Sequence, residues 1–257
     1  CQQIDIIDPI IMLEPIGRNT APAIAAAAIQ SAELFEDAIL LVLSSDHVIK
    51  DIDCFHEAVN IGRSQAQNGK LVTLGIVPED ANTSFGYIRA SKNEDNGAFK
   101  VEEFVEKPDQ ETAQKYFDQG DYLWNSGMFM FKSSEVIKEL TIHSHDIVKS
   151  ARMSVKNATK DIDFIRLDKE SFESSPSDSI DYALMEKSKN VAVLPVEMEW
   201  SDLGSWDSIY QVSEKDAQGN VLSGNVISHD THNSLIFSSK KLVTSIGVDN
   251  LIIVETD

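Results

Sequence analysis

A chain of 257 residues with 42% hydrophobic and 25% charged side chains holds enough apolar material for a sizeable core and does not read as disordered. Its 22 Lys+Arg against 42 Asp+Glu leave a formal charge of -20, which repels polynucleotide phosphates and anionic lipid and disfavours nucleic acid polymers and membrane surfaces as partners. Two cysteines, Cys1 and Cys54, are too few for a disulfide framework and fit a reducing, cytoplasmic compartment, while no apolar run nears the ~20 residues that span a bilayer.

Along the first two thirds, short apolar runs alternate with helical patterns, the signature of βαβ units around a largely parallel sheet. Ile10–Leu13 reads as a strand, and Thr20 as the cap of a helix with Pro22 in its first turn. The continuous run Ala38–Leu43 is expected to be a strand buried on both faces. A helix over Phe55–Ala66 follows, then strands at Leu71–Val77, Val101–Val105 and Met128–Phe131, with helices at Glu111–Phe117, Ser134–Leu140 and Asp181–Lys187. Near Asn220 the texture changes to short β-rich pieces at Asn225–Ser228, Ser234–Ser238, Leu242–Ile246 and Leu251–Val254, the spacing of a β-solenoid or a small sandwich.

Six segments hold residues able to carry chemistry. Glu14-Pro15-Ile16-Gly17-Arg18-Asn19-Thr20 joins a strand end to a helix start, a geometry that offers N–H groups to an anion or a base edge and serves equally as a plain helix cap. Asp46 follows an apolar strand, where open α/β sheets bind ligands and a carboxylate is placed to hold Mg²⁺; a turn aspartate is the commoner explanation. Gly86, inside an apolar pattern, marks close approach of a ligand or a bulge. Glu106-Lys107 pairs a hydroxyl acceptor with a phosphate-binding cation, or forms a solvated turn. Asn125, beside Trp124, is a candidate hydroxyl reader, and Asp202 completes a carboxylate pair with Asp46 if the fold brings them together. The six histidines show no metal-ligand spacing.

Taken in order, EPIGRNTAPAI (Glu14–Ile24), SSDHVI (Ser44–Ile49), FVEKP (Phe104–Pro108), WNSGMFMF (Trp124–Phe131), SIDYALMEK (Ser179–Lys187) and WSDLGSW (Trp200–Trp206) resemble the sugar-nucleotide pyrophosphorylases. The EPIGRNTAPAI form is similar to their guanylyl branch, the mannose-1-phosphate guanylyltransferases, and the resemblance runs from Ile10 to Asp257. It implies an α/β fold: a Rossmann-like nucleotidyltransferase domain with a mixed, mostly parallel sheet over residues 1–218, then the start of a β-helix-type domain over 219–257. The implied reaction joins GTP and mannose 1-phosphate into GDP-mannose and pyrophosphate by in-line attack on the α-phosphate, for use in polysaccharide biosynthesis.

Carried over by the same resemblance, Asp46 and Asp202 hold Mg²⁺, while Glu14, Pro15, Arg18, Asn19 and Thr20 line the nucleotide base. Gly86, Glu106 and Asn125 contact the hexose, with Lys107 toward its phosphate and counted with the two aspartates as catalytic. A homodimer is the implied assembly. The family's opening strand and loop, G-G-x-G-x-R-L-W-P-L-S, has no counterpart here, which implies an internal segment that lacks the triphosphate cradle and is inactive alone. Two other readings stand beside this one: a pyrophosphorylase for another sugar nucleotide, and a non-catalytic regulatory subunit that binds nucleotide sugar.

Overall fold

A computed structural model describes residues 9–256; Cys1 lies outside them, and Cys54 is a free thiol. The chain packs as two compact units, one comprising residues up to Ser44 together with Asp51–Glu197, the other Ser45–Lys50 together with residues from Met198 onward.

In the larger unit, strand β1 (Ile11–Leu13) leads into helix α1 (Thr20–Leu34) and strand β2 (Ile39–Val42). Asn19, rather than Thr20, is the N-cap: its side chain accepts from the Thr20 N–H at 2.8 Å. Thr20 is the first helical residue, and its hydroxyl accepts from the Ile180 N–H at 2.8 Å. After β3 (Val48–Ile49), which belongs to the smaller unit, come α2 (Ile52–Gln67), β4 (Leu71–Ile76), β5 (Tyr87–Asp95), β6 (Ala98–Val105), α3 (Gln110–Gln119) and β7 (Tyr122–Lys132). Helices α4 (Ser133–His143) and α5 (His145–Lys156), strands β8 (Thr159–Asp161) and β9 (Phe164–Arg166), α6 (Lys169–Glu173), a π-helical turn (Asp181–Met185) and β10 (Val191–Val196) complete the unit. The segment read as a helix over Asp181–Lys187 is thus wound as a π turn.

The six-stranded sheet runs β2-β7-β4-β10-β6-β5 and is mixed, as expected, but not mostly parallel. Among the described residues β4–β10 is its parallel pairing, while β2–β7, β4–β7, β6–β10, β5–β6 and β5–β7 are antiparallel. The βαβ signal gave the right direction and the wrong adjacency. Strands β2 and β4, joined through α2, both run antiparallel to β7, which is inserted between them. A second correction concerns β2. Among the described residues its apolar run pairs with β7 on one side alone, and Leu41 is exposed and its neighbours half-buried rather than sealed on both faces.

The core lies where α1 presents Ala21, Ile24, Ala25, Ala28 and Ile29 to α4 and α5, against Leu140, Ile147 and Ala151. Small alanine side chains let these helices approach closely while removing apolar surface from water. An aromatic cluster of Tyr87, Tyr116, Tyr122 and Trp124 packs β5, α3 and β7 together, with Tyr116 and Tyr122 stacked at 4.0 Å.

The smaller unit contains β3, β11 (Trp200–Ser201), α7 (Trp206–Val212) and five short strands: β12 (Val221–Ser223), β13 (Val226–His229), β14 (Leu235–Ser238), β15 (Val243–Ile246) and β16 (Ile252–Glu255). Strands β12-β14-β16 pair in parallel, as do β13 and β15, so successive passes of the chain stack in one direction. Buried polar groups are paired between passes: Asn220 Nδ2 donates to the Thr231 carbonyl at 2.7 Å, and the Thr231 and Ser245 hydroxyls meet at 3.0 Å.

Candidate active site

Three of the residues singled out in sequence meet at one corner of the six-stranded sheet. Tyr87 of β5 pairs with Val105 of β6 and with Trp124 of β7, so the next residues, Gly86, Glu106 and Asn125, converge at the ladder's end. The Asn125 N–H donates to the Gly86 carbonyl at 2.8 Å. A Cβ on Gly86 would lie 2.4 Å from Glu106 Oε2, so only glycine lets that carboxylate lie against the strand.

Glu106 is the electrostatic centre of the corner. Its side chain is 10% exposed, and Oε2 is buried without a hydrogen-bond partner among the described residues. Burial pushes its pKa up to about 7, helped by the nearby Asp181 and Glu186 charges and opposed by Lys107, whose Nζ stands 3.8 Å from Oε1. A buried acceptor left unsatisfied by the protein costs free energy that a ligand donor recovers. Lys107 itself is exposed and sits at φ 48°, a backbone region that non-glycine residues seldom occupy, directly after β6.

The π turn and Glu186, which follows it, were not identified from sequence as part of this corner, and together they brace it at three points. Glu186 accepts from the Glu106 N–H at 2.8 Å, the Tyr182 hydroxyl donates to the Glu106 carbonyl at 3.3 Å, and Asp181 accepts from Asn125 Nδ2 at 2.8 Å. The signal lay within SIDYALMEK, where Asp181 reads as an ordinary polar residue at the start of a helix.

The segment Glu14–Thr20 is held by the protein. An Arg18 guanidinium nitrogen donates to the Glu173 carbonyl, Asn19 caps α1 at φ 66°, and Thr20 accepts from Ile180. Arg18 is half-buried, and Glu14, Pro15, Asn19 and Thr20 are exposed.

In the smaller unit, β3 and β11 pair antiparallel, Ser201 opposite Val48 and Trp200 opposite Ile49. Continuing that register sets Asp202 opposite His47, one residue from Asp46, so these two aspartates, distant in sequence, stand at the same ladder end. Asp202 Oδ1 accepts from the Gly204 N–H at 3.0 Å, and His47 Nδ1 accepts from Trp200 Nε1 at 3.2 Å. Glu199 and Leu203, flanking the strand, both adopt positive φ, at 49° and 51°. Among the described residues no group of three or more His, Cys, Asp or Glu forms a metal cage. Two carboxylates with oxygen to spare suit a hard cation that keeps waters or shares phosphate oxygens, and they do not suit a tetrahedral transition metal.

Comparison with known proteins shows the family. A family model described as nucleotidyl transferase matches residues 2–219. The chain is 48% identical over 252 residues to a mannose-1-phosphate guanylyltransferase of Salmonella montevideo, covering 96% of this chain and 53% of that protein. It is 47% identical over 256 residues to the xanthan biosynthesis protein XanB of Xanthomonas campestris pv. campestris (strain B100), covering 100% of this chain and 54% of that one. The chain therefore spans about half the length of the curated relatives it matches. A crystal structure described as mannose-1-phosphate geranyltransferase from Thermus thermophilus superposes with a TM-score of 0.83 at 29% identity, covering 95% of this chain and 70% of that chain.

Proposed function

The chain belongs to the nucleotidyl transferase family, and we propose that its activity is guanylyl transfer to mannose 1-phosphate. A phosphate oxygen of the sugar phosphate attacks the α-phosphorus of GTP, a new P–O bond forms, the bond to the β-phosphate oxygen breaks, and pyrophosphate leaves. Such a displacement needs alignment and charge neutralisation rather than a covalent nucleophile. The observation that carries the reading is the corner itself: Gly86, Glu106 and Asn125 leave one buried carboxylate oxygen with no donor among the described residues, and a sugar hydroxyl supplies one.

In this reading Glu106 accepts from a hexose hydroxyl, Asn125 faces a second polar group of the ring, and Lys107 turns its ammonium toward the sugar phosphate. Asp46 and Asp202 would hold a divalent cation, Mg²⁺ by the hardness of their oxygens, and such a cation supplies positive charge to the phosphates. Glu14, Pro15, Arg18, Asn19 and Thr20 line the guanine side, with Arg18 half-buried and the other four exposed. Residues 1–218 form the nucleotidyltransferase domain, and the parallel stacked strands from residue 219 onward begin a β-helix-type domain. Among the described residues no helix is long and apolar enough to cross a membrane. The proposal places a homodimer in the cytoplasm, supplying GDP-mannose to polysaccharide synthesis.

A panel of nucleotide sugars tests the assignment. GDP-mannose is expected to bind more tightly than UDP-glucose or dTDP-glucose; the reverse order overturns it.

A further inference from the structure

Asn125 is buried in β7 beside an irregularity in the sheet. Thr73 of β4 pairs with Phe129 and Gly75 pairs with Asn125, so Ser126, Gly127 and Met128 oppose Leu74 alone. Gly127 makes this bulge possible with φ 71°, and Ser126 closes it by donating to the Leu74 carbonyl at 2.7 Å. The bulge brings three partners onto one side-chain amide. Thr73 Oγ1 lies 3.0 Å and the Gly127 N–H nitrogen 3.2 Å from Asn125 Oδ1, and Asn125 Nδ2 donates to Asp181 Oδ1 at 2.8 Å.

A backbone N–H can only donate, so the Gly127 N–H marks Oδ1 as the accepting end of the amide and leaves Nδ2 facing Asp181. The Gly127 N–H takes one lone pair of Oδ1, the Thr73 hydroxyl hydrogen is shared between the other lone pair and the Met128 carbonyl at 3.2 Å, and one Nδ2 hydrogen goes to Asp181. The other Nδ2 hydrogen is the amide's remaining hydrogen-bonding capacity.

We propose that Thr73 and Asp181 are positioning residues that lock the Asn125 amide, so that it offers a donor where Glu106 offers an acceptor. The inference rests on the hexose reading of Glu106 and Asn125 and gives it a selectivity. The corner recognises a sugar through one hydroxyl that donates to Glu106 and one oxygen that accepts from Asn125, and it disfavours analogues lacking the latter. Asp181 acts from the π turn that also holds Glu106 through Glu186 and Tyr182, so donor and acceptor are fixed to one support. π turns recur at functional sites, and here the turn aims three side chains at one corner.

The test uses the intact enzyme with mannose 1-phosphate and its 2-, 3- and 4-deoxy analogues, with KM measured for each and for GTP. Wild type is expected to lose about 10-fold or more on at least one analogue, the size of a hydrogen bond to a polar group left unpaired. In Asp181→Ala that penalty is expected to shrink to about 3-fold or less, the free amide no longer being held, while the KM for GTP stays unchanged. Asp181→Asn keeps an acceptor oxygen and is expected to restore the penalty. Thr73→Val removes the donor on the other end while keeping a β-branched strand residue, so it reads the same effect if Asp181→Ala does not fold. A merely structural role would weaken all four sugars by one common factor in both variants, and that result, or no change in either, overturns the inference. Failure of wild type to bind mannose 1-phosphate overturns the hexose reading beneath it and is seen before any variant is made.

Discussion

At Glu106 and Asn125 the side chains are buried, Asn125 held through its amide and Glu106 through its backbone, whereas Asp46 stands exposed and Asp202 half-exposed at the end of a two-residue ladder. The first region is stiff before any ligand arrives: a bulge, a π turn and a close glycine contact fix where each donor and acceptor lies. The second has few partners of its own, Asp202 accepting from Gly204 and little else holding the carboxylates. Recognition of a hydroxyl pattern profits from rigidity, since immobilised groups need no ordering on binding. Carboxylates meant for a hydrated cation profit from access to water and phosphate. On the proposed reading the chain carries one region that selects and one that neutralises charge, and substitutions in the two should fail in different ways.

The largest effect is expected at the carboxylates. Asp202→Asn or Asp46→Asn should lower Mg²⁺-dependent pyrophosphate release by about 10²–10³, as for loss of one electrostatic group facing a transition state. The melting temperature should hardly move, because an asparagine oxygen still accepts from Gly204. A collapse of thermal stability instead would show that the ladder end is structural.

The pH dependence of stability is next. Glu106 rises in the folded state from an ordinary 4.5 to about 7, so the folded chain prefers it protonated. Its contribution to stability is complete below pH 4.5 and is lost as pH rises through 7, amounting to roughly 3 kcal/mol at most. Glu106→Gln should therefore raise stability at pH 8 and change it little at pH 4.5, as read from urea unfolding at the two pH values. The same substitution should weaken mannose 1-phosphate binding, since a neutral amide oxygen accepts less strongly than a carboxylate. Equal stability changes at both pH values would show that Glu106 is not held protonated by its surroundings.

Gly86→Ala is expected to cost about 1–3 kcal/mol through the collision with Glu106 Oε2 and to raise the KM for the sugar phosphate without altering the response to Mg²⁺. The smallest effect lies at the helix start. Asn19→Ala should cost about 1 kcal/mol for the lost cap, and Asn19→Gly less, because glycine tolerates φ 66°. Should Asn19→Ala instead abolish nucleotide binding at unchanged stability, its role is in the site rather than in the cap.

The individual residues of the corner were legible because Gly86, Glu106-Lys107 and Asn125 each follow or begin an apolar run, where strand ends put side chains within reach of a ligand. Their braces were not. Thr73 lies inside an apolar strand and Asp181 at a helix-like start, and neither position signals a partner until β4, β7 and the π turn are packed together. Strand order was hidden for a similar reason. Alternation of strands and helices reports direction, but nothing local in GMFMF announces that β7 inserts between β2 and β4. Pro195 hid β10 itself: a proline argues against a central strand, yet the ladder to β6 ends at Val193, so the missing N–H is not needed there. The stacked strands beyond Asn220 were visible as evenly spaced apolar pieces, and only their pairing showed that they run parallel.

Titration calorimetry of GDP-mannose into wild type, Glu106→Gln and Asp202→Asn, each with and without Mg²⁺, tests the division of labour between the two regions most directly. The account expects Glu106→Gln to bind more weakly in both conditions while keeping the wild-type gain on adding Mg²⁺. Asp202→Asn should match wild type without Mg²⁺ and lose the gain when it is added. An Asp202→Asn protein that keeps the full Mg²⁺ gain, or a Glu106→Gln protein that loses it, would contradict the assignment of recognition to one region and charge neutralisation to the other.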